Sequence, residues 1–186
     1  MLVAASAPNA GGKIYDGETE IVVSSGAVTE FKPDDADIDG VISNFDKFLN
    51  LRDYAPDQAF DFLTAGNRQK LNQADWVAAH RQNIDKFGPD VARQVSRMTW
   101  YPNPPNVPSG VYVAVDFAAK TGQNAFRCGY IVLVGSKTAM TQIARVDETY
   151  IPAELLDGNL PNAKVLPQLP CYLGPNIATA FPKATP

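Results

Sequence analysis

Apolar residues recur at spacings of three and four in the first half of the chain, a pattern that predicts amphipathic helices. One helix is predicted over residues 36–51, and a second is predicted to begin at Pro56 and to end at Gly66. A third is predicted to follow Asn72, a residue that favours helix N-caps, and to stop at Gly88. The sequence therefore predicts helices as the main structure before residue 90.

The period of the pattern changes to two after Pro89, which predicts β-strands. The strand candidates are residues 91–101, 110–119, 125–134 and 138–151. The polar segment KTGQN joins the second and third candidates, so these two are predicted to form a hairpin. Helices followed by a meander indicate an α+β domain, in which N-terminal helices pack on one face of a curved antiparallel sheet of about four strands.

This domain is predicted to span residues 36–151, between two segments of different composition. Residues 1–35 are predicted to form an extended N-terminal arm, rich in glycine, serine and alanine, with the alternating stretch ETEIVV at 18–23. Residues 152–186 contain seven of the 15 prolines, which predicts an irregular, proline-rich C-terminal tail because proline interrupts regular ladders.

The arm and the tail both carry apolar residues, in which purely disordered segments are poor. They can therefore wrap their own domain or bind partner subunits, and the pattern leaves both alternatives open. In the second case, ETEIVV would add a strand to an exposed sheet edge. The predicted partner-binding residues are Ile21, Val22, Val23, Phe31, Tyr172 and Phe181.

Composition narrows the class of protein. A chain of 186 residues with 45% hydrophobic and 19% charged residues is typical of one globular domain. A net charge of -4 argues against a nucleic-acid partner, because phosphates call for a basic face. No segment approaches the roughly 20 apolar residues of a membrane span. LVAASAP at 2–8 resembles the end of a secretory signal with an A-x-A site, so we expect a periplasmic or extracellular protein.

The two cysteines, Cys128 and Cys171, have a spacing that fits no zinc or thioredoxin-type motif. In an exported protein, a single pair is most simply a disulfide. Closing a loop of this size would remove roughly 3–4 kcal/mol of unfolded-state entropy in the chain-entropy model. Two buried free thiols are the alternative, which a cytoplasmic location would favour.

Three segments carry a resemblance to a known family: FDKFLNLRDYAPDQAFDFLT, NQADWVAAHRQNIDKFGP and RQVSRMTWYPNPPNVPSGVYVAVDFAAK. The last contains a G-x-Y-V-x-V-x-F strand, here Gly110, Tyr112, Val113, Val115 and Phe117. Over residues 36–151 the chain resembles a family of small exported bacterial proteins known only as a domain of unknown function.

This resemblance implies the cone-shaped fold of helices on a curved sheet that nuclear transport factors, ketosteroid isomerases and scytalone dehydratases share. It also implies a location in the bacterial envelope. The arm and the long tail are departures from the family pattern, so the resemblance says nothing about them.

An enzyme of the cone fold would need an acid or base in its pocket beside a tyrosine or a second acid. The candidates are Asp116, Tyr112 and His80. Alternation places Asp116 and Tyr112 on the strand face opposite the apolar residues, so a solvated outer face is favoured over a catalytic role for Asp116. His80 is the only histidine and lies in an apolar helical arc, which favours a core-facing, hydrogen-bonded imidazole over a pocket base.

Other chemistry finds little support. A single histidine and the lack of a D-x-D or H-E-x-x-H pattern argue against a metal site, and no cofactor motif is present. Arg127 and Arg145 are predicted to meet across adjacent strands, with Asp147 on the face of Arg145 to form a weak cross-strand ion pair.

The sequence therefore favours a non-catalytic exported protein. It would act as a scaffold or accessory subunit and bind other proteins, such as subunits of a membrane or extracellular assembly, through its extended termini and sheet face. The alternative is a small-molecule-binding pocket protein or an isomerase- or dehydratase-like enzyme of the cone fold that uses Asp116, Tyr112 and His80.

Overall fold

The computed structural model describes residues 19–24, 31–136, 139–175 and 177–181, so the predicted secretory segment at 2–8 lies outside the described residues. The first predicted helix is confirmed as α1, Asp35–Tyr54. Asp34 caps it reciprocally: its carboxylate accepts a bond from the Asp37 N–H, while the Asp37 carboxylate accepts one from the Asp34 N–H.

The second predicted helix is shorter than expected. Its helical turns end with α2, Pro56–Phe60, and Gly66 lies inside a separate helix, α3, Ala65–Lys70. The prediction that Gly66 ends the second helix is therefore wrong. The chain leaves the helical path between them because Leu63 bridges to Ile143 on a neighbouring strand, and Thr64 then caps α3.

The third predicted helix is confirmed as α4, Gln73–Phe87. The side chain of Asn72 accepts a bond of 3.1 Å from the backbone N–H of Asp75, as an N-cap should. Gly88 follows the helix with φ of 76°, a conformation that favours glycine and turns the chain into the sheet.

All four predicted strands are present in the main sheet, and β1 adds a fifth to it. The main sheet has the order β1, Glu20–Val23; β2, Asp90–Pro102; β3, Val111–Thr121; β4, Phe126–Ser136; and β5, Ala139–Ile151. Strands β2 to β5 form the predicted antiparallel meander. β1 lies parallel to β2, so the sheet is mixed rather than antiparallel. The difference arises because the ETEIVV stretch of the arm adds a strand to this chain's own sheet.

The main core lies between the helices and one face of the sheet, hereafter the inner face. It buries aromatic residues from both layers completely, including Phe45 and Phe48 of α1, Trp100 of β2 and Phe117 of β3. The alternation predicted for β3 is confirmed, because Val113, Val115 and Phe117 all belong to this core.

The tail packs on the other face of the sheet, hereafter the outer face. It contains a small hairpin of β6, Leu156–Asp157, and β7, Leu160–Pro161, and a short helix α5, Ile177–Ala180. A second apolar cluster joins it to the sheet, with Phe181 against Phe126. Cys128 of β4 and Cys171 of the tail form the predicted disulfide. Among the described residues, no helix combines the length and hydropathy that a membrane crossing requires.

Candidate binding groove on the outer sheet face

The tail covers only one end of the outer face, and the other end is an open groove with a cavity of about 460 Å³. We call this cavity the outer groove. Strands β2, β3, β4 and β5, the β2–β3 loop and the tail supply its lining. The lining consists of Arg97, Thr99, Tyr101, Pro104, Val107, Tyr112, Ala114, Asp116, Tyr130, Val132, Arg145 and Pro170. Its volume lies within the range of roughly 300–1,000 Å³ that ligand sites usually have.

The shape of the outer groove follows from side-chain size along neighbouring strands. Because strand side chains alternate between faces, β2, β3 and β4 each send every second residue into it. Thr99 and Ala114 pair directly across β2 and β3, and Ala114 pairs with Val132 across β3 and β4. These three small side chains form the floor, and the larger tyrosine rings stand around it.

Two tyrosines of the outer groove are held in place by hydrogen bonds within this chain. The Tyr112 hydroxyl donates to the carbonyl oxygen of Pro108 at 2.9 Å, and the Tyr130 hydroxyl donates to Asp147 at 3.2 Å. Tyr101 is 36% exposed and Val107 is 47% exposed, so apolar surface at the rim faces solvent. A fixed aromatic wall loses little side-chain entropy when a ligand binds.

Asp116 lies on the outer face as predicted, but the prediction that it is solvated is wrong. Only 6% of the residue is exposed, because the tail passes over it. Its carboxylate accepts bonds from Arg97 Nε at 3.1 Å and from the backbone N–H of Tyr172 at 3.3 Å. Burial raises the pKa of Asp116, although the Tyr172 N–H and the Arg97 guanidinium oppose this rise.

Two arginines border the outer groove, and each lies over a tyrosine ring. The guanidinium carbon of Arg97 is 4.1 Å from the Tyr172 ring centre, and that of Arg145 is 5.2 Å from the Tyr130 ring centre. Arg145 Nη2 also pairs with Asp147 at 2.9 Å, but both residues lie on β5, so this exposed ion pair forms within one strand and not across strands as predicted.

Arg127 does not meet Arg145, contrary to the prediction. Arg127 pairs with Tyr150 in the strand register, whereas Arg145 pairs with Val132. The two guanidinium groups therefore lie on opposite faces of the sheet, and Arg127 is buried on the inner face.

The three candidate catalytic residues do not converge. Asp116 and Tyr112 both line the outer groove, whereas His80 lies on α4, on the helical side of the sheet. The His80 ring is half-buried and centred 4.0 Å from the Trp76 ring. Burial, with a smaller effect of Arg52, lowers the pKa of His80 to about 4, so the imidazole is neutral near pH 7.

A buried ionic cluster at one end of the inner face was not anticipated from the sequence. Arg52, Arg93 and Arg127 are each at most 2% exposed, and they bind the carboxylates of Asp53, Asp90 and Glu148. Burial and the nearby Asp53 raise the pKa of Asp90 to about 7, against the effect of the arginines. The alternation of side chains along a strand could have indicated two residues of this cluster, because Arg93 and Arg127 fall at positions that face the inner side of the sheet.

Four of the six predicted partner-binding residues contact this chain with their side chains. Ile21 and Phe31 pack against the main core, and the Phe31 ring lies 5.6 Å from the Trp100 ring. Phe181 is 4% exposed, and the Arg97 guanidinium lies over the Tyr172 ring. The remaining two, Val22 and Val23, are strand residues that pair with β2. Binding of another protein through these residues stays a prediction.

Metal binding has no visible basis in the described part of the chain, where no group of three or more His, Cys, Asp or Glu residues could hold an ion. The outer groove carries fixed aromatic rings, paired charges and a small apolar floor. Such a lining is suited to binding a ligand by contact and charge.

The fold and the outer groove together define a small α+β protein with a mixed sheet and a tail linked to that sheet by a disulfide. Residues 47–142, more than half of the chain, match a family described as "Protein of unknown function (DUF4019)". The chain belongs to this family. No curated protein and no solved structure matches this chain. The matched segment contains Arg97, Tyr112, Asp116 and Tyr130, whereas Arg145 and the tail lie beyond it.

Proposed function

We propose that this protein is a non-catalytic exported scaffold or accessory subunit that binds a segment of another protein in the outer groove. The outer groove itself carries the proposal. It is open, it has a volume of about 460 Å³, and its exposed rim residues include Tyr101 and Val107. Exposed aromatic and aliphatic side chains around a small floor are typical of surfaces that bind other proteins.

The packing of the inner face supports a non-catalytic role. We propose that the helices and the curved sheet form the cone fold, in which an enzyme would hold its pocket between the two layers. Here Phe45, Trp100 and Phe117 fill that space and are completely buried. The Phe45 and Phe117 rings pack edge to face with centroids 5.3 Å apart. Such dense aromatic packing leaves little room for a substrate.

The Cys128–Cys171 disulfide supports the exported location. Disulfides persist in the bacterial periplasm and outside the cell, and they are rare in the reducing cytosol. The same bond ties the tail to β4, so the partner would meet an outer face whose covered and open parts are fixed.

A small-molecule pocket is the second candidate, because Asp116 and Tyr112 both line the outer groove and burial raises the pKa of Asp116. An isomerase or dehydratase needs a carboxylate free to take a proton from the substrate. Both oxygens of Asp116 already accept bonds from this chain, and His80 lies on the other side of the sheet. We therefore favour the binding of a protein.

Site-specific photo-crosslinking in the native host tests this function. A photoreactive phenylalanine analogue replaces Val107 at the rim of the outer groove, or Leu71, which is 44% exposed and does not line the groove. We expect a discrete protein adduct from position 107 only. The purified partner should then bind the chain and should lose binding when Ala114→Trp fills the floor, whereas the matched exposed change Ala74→Trp should have no effect. Equal adducts at both positions, or none, would refute the proposal.

A further inference from the structure

Resting on the proposed function, we propose that the segment bound in the outer groove is acidic: its carboxylates pair with Arg97 and with Arg145, while its apolar side chains cover the floor. The first ground is an asymmetry in the two ion pairs that border the groove. The Arg97 side chain is 32% exposed and that of its partner Asp116 is 9% exposed. The Arg145 side chain is 62% exposed and that of Asp147 is 40% exposed.

In both pairs the cation is therefore the more accessible partner. The formal charges of these four side chains cancel, and the exposed Glu20, the strand neighbour of Arg97 on β1, adds a negative charge nearby, but within each pair a ligand meets the guanidinium group first. The accessible positive charge is a property of the groove alone, since the net charge of the whole chain is -4. A groove with accessible positive charge on an acidic protein favours a ligand that carries negative charge.

The second ground is the donor geometry. Arg97 uses Nε for Asp116, and Arg145 uses Nη2 for Asp147. A guanidinium has five N–H donors, so the terminal nitrogens of Arg97 remain able to form the parallel pair of bonds that a carboxylate accepts. Each guanidinium already lies over a tyrosine ring of the same chain, which restricts its rotamers before any ligand arrives.

The third ground is the size and apolar character of the remaining lining. A single carboxylate would occupy a small part of the 460 Å³. The floor of Thr99, Ala114 and Val132 is largely apolar, and Pro104 and Val107 add an apolar wall. An extended peptide that combines acidic and apolar side chains satisfies both parts, and recognition of acidic motifs by arginines is a recurrent mode of peptide binding.

The test uses the purified, oxidised protein and three sets of acetylated, amidated hexapeptides carrying a fluorophore. The first set mixes glutamate with proline, leucine and phenylalanine; the second replaces glutamate with glutamine; the third replaces it with lysine. Fluorescence anisotropy gives the affinities, and backbone amide NMR shifts locate the bound peptide. We expect members of the glutamate set to bind at the outer groove, at least tenfold more tightly than the matched glutamine and lysine peptides.

Two variants connect the preference to the arginines. Arg145→Gln should reduce affinity for the glutamate peptides at least fivefold and leave affinity for the glutamine peptides unchanged. Arg81→Gln is the matched control, because Arg81 is exposed on α4 and does not line the groove. Its affinities should equal those of the wild type, and thermal unfolding should show that both variants are folded.

Equal binding of the three sets, shifts outside the outer groove, or no binding of the glutamate set at millimolar concentration would overturn the inference. Equally tight binding of free N-acetylphenylalanine would also overturn it, because the site would then take a small acid rather than a peptide. A protein adduct at position 107 together with a negative peptide result would refute the acidic ligand alone. The absence of any protein adduct at position 107 would refute the proposed function itself.

Discussion

Replacement of Arg93 with methionine should destabilise this protein more than most single substitutions. Arg93 connects β2 to α1 through charged contacts: Nε donates to Asp90 at 2.6 Å, and Nη1 donates to Asp46 at 2.6 Å. Nη2 lies 3.4 Å from Asp53. Methionine keeps much of the side-chain volume but removes the charge, so the buried carboxylates lose one of their partners.

The magnitude follows from the burial of these groups. The side chains of Arg93, Asp53 and Asp90 are at most 2% exposed, so water cannot replace the lost bonds without a rearrangement. Breaking a buried pair by removing one partner typically costs about 3–5 kcal/mol. Asp53 keeps Arg52, and Asp90 keeps Arg127, which places the expected loss near the lower limit, at about 3 kcal/mol. A domain with about 5–15 kcal/mol of stability would remain folded but clearly weakened.

Urea unfolding followed by circular dichroism measures this loss, with the disulfide intact and with a check that the slope of free energy against urea is unchanged. The exposed Arg81→Met is the matched control and should change stability by less than about 0.5 kcal/mol. Adding Asp90→Asn to Arg93→Met should cost less than the sum of the two single changes, because these residues pair with each other and the double change removes both charges of that pair. A decrease in unfolding free energy below about 1 kcal/mol for Arg93→Met would refute the reasoning, since exposed ion pairs contribute no more than that to stability.

Three further predictions concern the disulfide, the sheet and the histidine. Reductant should raise the intact mass by two hydrogen atoms, and replacing Cys128 and Cys171 with serine should lower the free energy of unfolding by about 3–4 kcal/mol; an unchanged mass would contradict the disulfide. Gly129→Ala should lower the melting temperature, because a Cβ would clash with backbone atoms of β5, whereas Gly40→Ala in α1 meets open space and should add up to about 1 kcal/mol; the reverse order would contradict the packing. Neutral His80 should contribute stability above pH 6.5 that is lost as the pH falls toward 4, by at most about 3 kcal/mol. The difference in unfolding free energy between wild type and His80→Gln should therefore change across that range, and a constant difference would refute the role of its burial.

Local patterns were sufficient to predict most of the elements. The four strand candidates correspond to β2 to β5, and Asn72 begins α4 as its capping preference predicts. The second helix was mispredicted because Leu63 bridges to Ile143, some 80 residues away in the chain, and this contact leaves no trace in the local pattern.

The candidate site shows a similar limit. Alternation correctly placed Asp116 and Tyr112 on one face of β3, which is a property of neighbouring residues. It could not indicate that the tail covers Asp116, because the contact with Tyr172 joins residues 56 positions apart. Nor could it bring Arg145 of β5 to the same groove as Arg97 of β2, since their approach depends on the order and register of four strands.

By itself, the sequence determined the class of the fold, the alternating faces of the strands and the family to which the chain belongs. The fold class and the strand faces follow from periodicity, capping and turn preferences, which act over a few residues, whereas the family follows from the similarity of residues 47–142 to its other members. Only the tertiary structure decided that ETEIVV completes this chain's own sheet, that three arginines share a buried ionic cluster, and that the tail leaves one end of the outer face open. The physical reason is that burial and charge pairing depend on distances between remote residues, and those distances are fixed only when the layers pack together.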